Sequence, residues 1–330
     1  MSACDMADKI KTQELTSLEI TEAIIERIEK INPLINAYCT TTFDLARDLA
    51  KKADVRVEKG EKAGVLNGIP TSIKDLMDTK GIRTTHGSKI YENYIPEKDN
   101  LTVRRLKEAG IVLLGKTNTP EKGHIAITDN LIFGATKNPW NLERTSGGSS
   151  GGAASANAAG ISPLALGSDG GGSIRVPSCL CGVYGLKPNY ARIPYDYTQL
   201  AFYTMSHHGP IVRYVKDAAL MLNAMAGPDP LDKFSVGQNK VDFVKALDEK
   251  PSRLKIGYTL DLGNLKAIDP EVEDTVINAA QRFEEFDWSV ESVKIKIKKA
   301  QKAFGILITS AFYHDFRNII NEWKDKMSPT

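Results

Sequence analysis

Residues 145–188 form a glycine-rich segment that restricts the fold more than any other part of this sequence. Eleven of the 26 glycines lie in it, at positions 147, 148, 151, 152, 160, 167, 170, 171, 172, 182 and 185. Glycine at this density costs backbone entropy unless the chain needs positive φ or a close approach to another group. A flexible linker is the simplest interpretation of a glycine-serine run. Here a helical stretch and a strand interrupt the run, which also carries Asp169 and Arg175, so we expect an ordered loop.

Composition narrows the class of protein. The chain has 330 residues, of which 42% are hydrophobic and 25% charged, which excludes a disordered chain, a collagen and a coiled coil. A net charge of +2 gives no electrostatic footprint for nucleic acid, and no apolar run approaches the ~18 residues of a membrane span. The amino-terminal residues lack the apolar region of a secretory signal. The four cysteines lack zinc-site spacing, so we expect a cytoplasmic protein without a metal.

Short apolar strands alternate with helices along most of the chain. Strands are predicted at residues 69–73, 111–114, 164–166, 254–260 and 289–297, and helices at 101–109, 150–159, 215–226 and 270–286. Alternation of this kind predicts an α/β fold in which a mixed β-sheet core is flanked by helices on both faces.

The first 60 residues have a helical pattern of their own. Thr16 and Glu19 fit a capping box that begins a helix over residues 16–31, with Asn32-Pro33 as its end. A second helix is expected to bury one face and to stop at Gly60; that face consists of Leu45, Leu49, Ala53 and Val57. We expect residues 1–60 to form a helical arm packed on the core, and residues 61–330 to form the α/β domain. The polar stretch 228–253 is interpreted as a linker or an insertion.

Two common catalytic loops can be compared with the glycine-rich segment. A phosphate-binding P-loop is rejected because no lysine follows the glycines at the required position. Residues 147–151 match the nucleophile elbow G-x-S-x-G, which would make Ser149 the nucleophile, but so short a pattern matches any glycine-serine run. His207, His208 and His314 lie downstream; we expect them to be surface or core residues rather than a general base.

A longer series of motifs resembles the amidase signature family. Residues 147–152 are GGSSGG and residues 167–177 are GSDGGGSIRVP, separated by a helix of small residues. Upstream, residues 68–75 are GIPTSIKD, and further agreement lies at residues 115–121, 138–141 and 182–188. The resemblance is strong over residues 15–230 and loose over 250–330. It implies the fold of that family and an amide-hydrolysing activity.

The resemblance assigns a Ser-Ser-Lys triad to three positions. Lys74 matches the catalytic lysine, Ser149 the bridging serine and Ser173 the nucleophile, which replaces the assignment made by the elbow pattern. The family also has a cis peptide bond before the residue that matches Ser149. A lysine acts as a base only when neutral, so its pKa must fall from ~10.4 by about three units. A shift of that size requires the site to favour the neutral amine over the charged one by about 4 kcal/mol. No cofactor and no metal are needed.

The resemblance also assigns supporting residues. The backbone amides of Gly170, Gly171, Gly172 and Ser173 are expected to form the oxyanion hole. The supporting loop is expected to comprise Gly147, Gly148, Ser150, Asp169 and Arg175, the last two as a buried ion pair. Asp75 is expected to orient local backbone, and Lys116 and Lys187 to be ordinary solvated lysines.

The expected reaction is cleavage of a carboxamide C–N bond through an acyl-enzyme on Ser173, with a small-molecule amide as substrate. An alternative is the amide-cleaving component of a tRNA-dependent glutamyl/aspartyl amidotransferase, which uses the same triad on glutamine; residues 192–209 depart from its pattern and favour the amidase. A second alternative is a truncated, inactive remnant or interaction module. Family members normally continue beyond residue 330, so we expect a chain incomplete at its carboxyl end, and an exposed sheet edge would then favour a homodimer.

Overall fold

The computed structural model describes residues 1–195, 205–235, 241–249, 251–265 and 267–329. The helices are α1 Ala3–Lys11, α2 Ser17–Ile35, α3 Phe43–Glu58, α4 Leu101–Glu108, α5 Gly151–Ala158, α6 Arg175–Cys181, α7 Val215–Met225, α8 Phe243–Ala246, α9 Pro270–Gln281, α10 Ala300–Phe316 and α11 Ile320–Trp323. The strands are β1 Tyr38–Thr41, β2 Pro70–Lys74, β3 Val112–Thr117, β4 Lys137–Asn138, β5 Asn141–Thr145, β6 Leu164–Asp169, β7 Tyr184–Gly185, β8 His207–Val212, β9 Lys255–Tyr258 and β10 Ser289–Ser292. Across these described ranges, no helix has both the length and the apolar character that a membrane crossing requires.

A mixed sheet with flanking helices lies at the centre of the fold, as the sequence predicts. Within the described residues its strand order is β1-β3-β2-β6-β8-β7. Strand β2 runs parallel to β3 and to β6, whereas β1 and β8 are antiparallel to their neighbours β3 and β6. Because β2 and β6 are parallel, their carboxyl ends meet at one edge of the sheet. That edge brings Lys74, the last residue of β2, beside Ser168 and Asp169 at the end of β6.

The chain divides into two compact units. One comprises Met1–Ala246 and His314–Thr330, and the other comprises Leu247–Tyr313. The second contains α9 and the parallel pair β9–β10. Residues 1–60 belong to the first unit, supply its strand β1, and share one hydrophobic core with the central strands. The division therefore falls near residue 246, inside the polar stretch interpreted as a linker or an insertion.

Helix α2 shows how local signals set an element and where they fail. Thr16 caps it, and the capping box with Glu19 is present as predicted. The predicted end at Asn32-Pro33 is wrong, because the helix continues through Pro33 to Ile35. A proline in the last turn removes only one helical hydrogen bond. Burial of Ile35 in the core offsets that loss, and Asn36 then ends the helix in the left-handed conformation.

Helix α3 buries most of the predicted face together with an adjoining pair of alanines. Ala46, Ala50 and Ala53 are buried, whereas Leu45 is 40% exposed. Small side chains allow the backbone of a helix to approach a neighbouring element closely. Of the predicted face, Ala53 is buried and Leu49 and Val57 pack partly buried against the core, so only Leu45 departs from the prediction.

Candidate active site

The side chain of Lys74 is fully buried among hydroxyl groups. Its Nζ lies 2.7 Å from Ser149 Oγ, 3.0 Å from Ser150 Oγ and 3.0 Å from Ser168 Oγ. All five residues of β2 are buried, so the strand carries the amine into the interior, and the end of β6 supplies Ser168 from the adjacent strand. Lys74 and Ser149 are 75 positions apart in the sequence, and the fold brings them into contact.

The surroundings of Lys74 favour a neutral amine. Among the described residues it forms no ion pair within 4.0 Å. Burial lowers the pKa of Lys74 well below its usual value, and the negative charge of Asp169 opposes this effect only in part. Desolvation disfavours the charged form of a lysine unless a counter-ion compensates. The neutral state that a general base requires is therefore favoured by the fold itself.

The loop before α5 has the backbone geometry that its glycines predict. Gly147 has φ +76°, which side chains rarely adopt. At Gly148 an added Cβ would lie 2.7 Å from the backbone nitrogen of Ile127, so the close approach needs glycine. The Gly148–Ser149 peptide bond is cis, as expected. Thr128 Oγ1 donates to the carbonyl of Gly147 and accepts from the amide of Gly151, which ties the two ends of the loop together.

Ser173 is half-buried and lies just before α6. The amide of Ser150 donates to its carbonyl oxygen over 3.1 Å, so the two serine segments run side by side. Within the described ranges the Ser149 and Ser173 hydroxyls do not form a hydrogen bond. The structure thus brings together Lys74, Ser149 and Ser150, and places Ser173 on the adjoining segment with its side chain accessible.

Asp169 organises the loop that carries Ser173. Arg175 donates to it through Nε and Nη2, both over 3.0 Å. Burial opposes ionisation of Asp169, but the hydrogen bonds from Arg175, Gly172 and Ile174 outweigh it and lower its pKa to about 2. The pair was expected to be buried on both sides. Asp169 is buried, but the Arg175 side chain is 56% exposed, because its long stem reaches the carboxylate from the surface.

The amide of Gly172 is already engaged. It donates to Asp169 Oδ1 over 2.8 Å. This donor is held by a buried carboxylate, so a part in the oxyanion hole would require the hydrogen bond to Asp169 to break; the assignment of Gly172 to the oxyanion hole stays a prediction. The neighbouring Gly170 and Ser173 are half-buried and Gly171 is exposed, so their backbone stays accessible.

Among the predicted positions, Lys116 departs furthest from the prediction, which was an ordinary solvated lysine. Its side chain is fully buried at the end of β3. Its Nζ donates to the carbonyl of Met77 over 2.5 Å and to the hydroxyls of Thr79 and Thr84 over 2.9 Å each, and lies 4.0 Å from Asp75. Burial lowers the pKa of Lys116 to about 8, with Asp75 opposing. Through its hydrogen bonds to Met77, Thr79 and Thr84, Lys116 holds the chain that follows β2.

Replacing Lys116 with methionine is expected to lower the free energy of unfolding by about 3–5 kcal/mol, because Asp75 would keep a buried charge without its partner. Urea unfolding at pH 7 measures this loss. The double variant Lys116→Met/Asp75→Asn should recover part of it, and Lys137→Met, at an exposed position, should stay within about 0.5 kcal/mol of the parent. A Lys116 variant as stable as the Lys137 control would contradict the buried pair.

The remaining predicted positions are less exceptional. Asp75 accepts from the backbone amide and hydroxyl of Thr85, so it orders local backbone as expected. Lys187 is half-buried rather than fully solvated and donates to the carbonyl of Pro188. His208 is a core residue bound to Thr102, and burial lowers its pKa to about 3.

Two contacts of the site were missed at the sequence level. Ser168 binds Lys74, and the only signal was its place beside Asp169 in the GSDGGGSIRVP motif. Gly123 lies against Ser149, since a Cβ there would stand 3.1 Å from Ser149 Oγ. Residues 196–204, part of the segment that departs from the amidotransferase pattern, lie outside the described residues. No cluster of three or more His, Cys, Asp or Glu side chains suited to a metal occurs among the described ones.

Comparison with known proteins defines the family. The chain matches the amidase family over residues 19–328. It is 45% identical over 288 residues to an acylamidase of Rhodococcus erythropolis, covering 86% of this chain and 60% of that protein. It is also 45% identical over 281 residues to a glutamyl-tRNA(Gln) amidotransferase component of Carboxydothermus hydrogenoformans, covering 83% and 58%. A bacterial aryl acylamidase of the amidase signature family superimposes with a TM-score of 0.91 at 34% identity, covering 98% of this chain and 67% of that one.

The chain belongs to the amidase signature family. It spans about three fifths of the length of the curated relatives that it matches. These relatives include both an acylamidase and an amidotransferase component, so the family is established and the particular reaction is not.

Proposed function

We propose that this protein hydrolyses carboxamide C–N bonds, with Ser173 as nucleophile, Ser149 as proton relay and Lys74 as general base. The observation that carries the proposal is the buried Lys74 amine 2.7 Å from Ser149, surrounded by hydroxyls and without a counter-ion among the described residues. A serine hydroxyl is a weak nucleophile and needs a base within hydrogen-bond reach. A neutral amine that acts through a second hydroxyl supplies it.

The proposed steps balance protons as well as bonds. Ser173 Oγ bonds to the amide carbon while its proton passes to Ser149, whose own proton passes to Lys74. The C–N bond then breaks and the leaving nitrogen receives a proton from Lys74 through the same relay. Water hydrolyses the acyl-enzyme by the reverse sequence, which releases the carboxylic acid. The amides of Gly170, Gly171 and Ser173 are the proposed oxyanion donors, and that of Gly172 would join them only by releasing Asp169.

Labelling and ammonia release test the proposal together. A fluorophosphonate should modify the purified chain at Ser173, identified by mass spectrometry of peptides. Ammonia release from a panel of primary amides, measured without any partner protein, should then show turnover. Glutaminase activity that appears only with a partner protein would favour the amidotransferase role. A folded sample that neither labels nor turns over would favour an inactive remnant.

The pH dependence of kcat/KM is a separate expectation. Protonation of Lys74 removes the base, so activity should fall towards low pH through the depressed pKa of Lys74 and stay constant above it. Asp169, whose pKa is about 2, remains ionised over this range and therefore adds no pH dependence of its own. The measurement is kcat/KM for one amide from about pH 4 to about pH 10, a range that brackets both a depressed and an ordinary lysine pKa. A rate that keeps rising to the upper end would indicate a lysine of ordinary pKa and would count against the base.

A further inference from the structure

The amine of Lys74 contacts three serine hydroxyls, whereas the proposed triad uses only one of them. A neutral lysine amine has two N–H donors and one lone pair, whereas three hydroxyls surround it. They belong to Ser149, Ser150 and Ser168. One of the three must therefore donate its proton to the lone pair, and the other two must accept. Only donation by Ser149 suits a base that removes a proton from Ser149.

Ser150 is committed as an acceptor. Its hydroxyl donates to the carbonyl of Ser168 over 3.1 Å and accepts from the amide of the same residue over 3.3 Å. A hydroxyl has a single proton, so Ser150 has none left for Lys74 and takes one N–H of the amine. One N–H and the lone pair remain for Ser149 and Ser168.

We propose that Ser168 is a positioning residue that accepts the second N–H of Lys74 and thereby keeps the lone pair directed at Ser149. This inference rests on the proposed function. The distances permit it: the three contacts of Nζ, at 2.7, 3.0 and 3.0 Å, are all of hydrogen-bond length. Ser168 is half-buried, so its own proton can face away from the amine towards water.

The opposite arrangement would be unproductive. If Ser168 donated to the lone pair, Lys74 would donate to Ser149 and could not take its proton. Removing the Ser168 hydroxyl leaves one N–H without its acceptor, and the amine then satisfies it on Ser149 for part of the time. The Ser168→Ala variant should therefore react with a fluorophosphonate about 10–100-fold more slowly, a fraction of the full effect of a general base.

The test measures the second-order rate of Ser173 phosphonylation against pH. In this step a P–O bond forms at Ser173 and the P–F bond breaks; fluoride leaves, and the hydroxyl proton passes through Ser149 to Lys74 and on to water. Ser168→Thr keeps the hydroxyl and should react within about threefold of the parent rate. Ser155→Ala, which removes a buried hydroxyl bound to the carbonyl of Lys137, is the matched control and should match the parent.

The labelling rate falls on the acid side of its pH profile, and the position of this acid limb distinguishes a positioning role from a general structural effect. Hydrogen bonds from a charged donor are stronger than those from a neutral one, so loss of Ser168 disfavours protonated Lys74 more than neutral Lys74. The limb should move to lower pH in Ser168→Ala and stay in place in Ser168→Thr and Ser155→Ala. The other titratable groups facing Lys74 are Asp169 on β6 and His208 on β8, and no variant alters them.

The outcomes distinguish the two proposals. Parent protein labelled at Ser173, with an unchanged rate and limb in Ser168→Ala, would overturn the role of Ser168 alone. Parent protein that is folded but unlabelled would overturn the proposed function, and the role of Ser168 with it. A slow Ser168→Ala whose limb does not move, together with an equally slow Ser168→Thr, would indicate a packing effect and would also overturn the positioning role. Thermal unfolding of each variant shows whether it is folded.

Discussion

Replacing Ser173 with alanine is expected to abolish turnover, with a fall in kcat of about 10⁶-fold, because Ser173 is the nucleophile of the proposed reaction. Losses of this size follow removal of a serine nucleophile elsewhere. Ammonia release measures the loss, and thermal unfolding should be unchanged, since the half-buried Ser173 hydroxyl contributes no hydrogen bond within the described structure.

Ser149→Ala is the comparison that separates the two serines. It should slow the reaction by several orders of magnitude and still permit slow labelling at Ser173. Full activity in the Ser173 variant with none in the Ser149 variant would support the nucleophile-elbow interpretation, in which Ser149 attacks. Ser155→Ala again serves as the control that removes a buried hydroxyl outside the site.

Replacing Lys74 with methionine is expected to slow catalysis by about 10²–10⁴-fold, the usual contribution of a general base, without lowering stability at pH 7. Burial depresses the pKa of Lys74 in the folded protein, so the folded state binds this proton less tightly than the unfolded chain does. This weaker proton binding opposes folding below the ordinary lysine pKa, and its cost in unfolding free energy decreases as the pH rises towards that pKa. Methionine fills a similar volume without this cost.

The measurement is urea unfolding of the parent and the Lys74→Met variant at pH 7 and at about pH 10, close to the ordinary lysine pKa. The variant should be at least as stable at pH 7, and its advantage should shrink at the higher pH. A variant strongly destabilised at pH 7 would contradict the expectation that burial of the Lys74 amine opposes folding. The Lys116→Met variant provides this contrast, because the same substitution there leaves a buried carboxylate behind.

Local signals in the sequence predicted much of the fold. The Thr16 capping box, the glycine stops and the alternation of apolar runs located six of the eleven helices and five of the ten strands of the described chain. The pairing of β1 with β3 was not predicted, because it is a long-range contact that no local pattern contains. For the same reason the buried face of α3 depends on what packs against it.

The site was predictable where a motif fixed it. The GIPTSIKD, GGSSGG and GSDGGGSIRVP motifs identified Lys74, Ser149 and the loop with Asp169, and the structure brings these together. Local pattern alone could not distinguish the surroundings of Lys74 from those of Lys116, since both follow short apolar strands and both are buried. The two lysines differ in their charged partner. Among the described residues no carboxylate pairs with Lys74, whereas Asp75 lies 4.0 Å from Lys116. Partners drawn from distant segments are set by the tertiary fold.

The hydroxyl lining around Lys74 limits how this part of the molecule can diverge. Exchanging one hydroxyl residue for another, serine for threonine, preserves an uncharged lining. A single carboxylate at position 150 or 168 would supply the missing counter-ion and favour the protonated amine, as Asp75 does for Lys116. One acidic substitution would thus replace the uncharged lining of Lys74 with a buried salt bridge, and the amine could no longer serve as the proposed base.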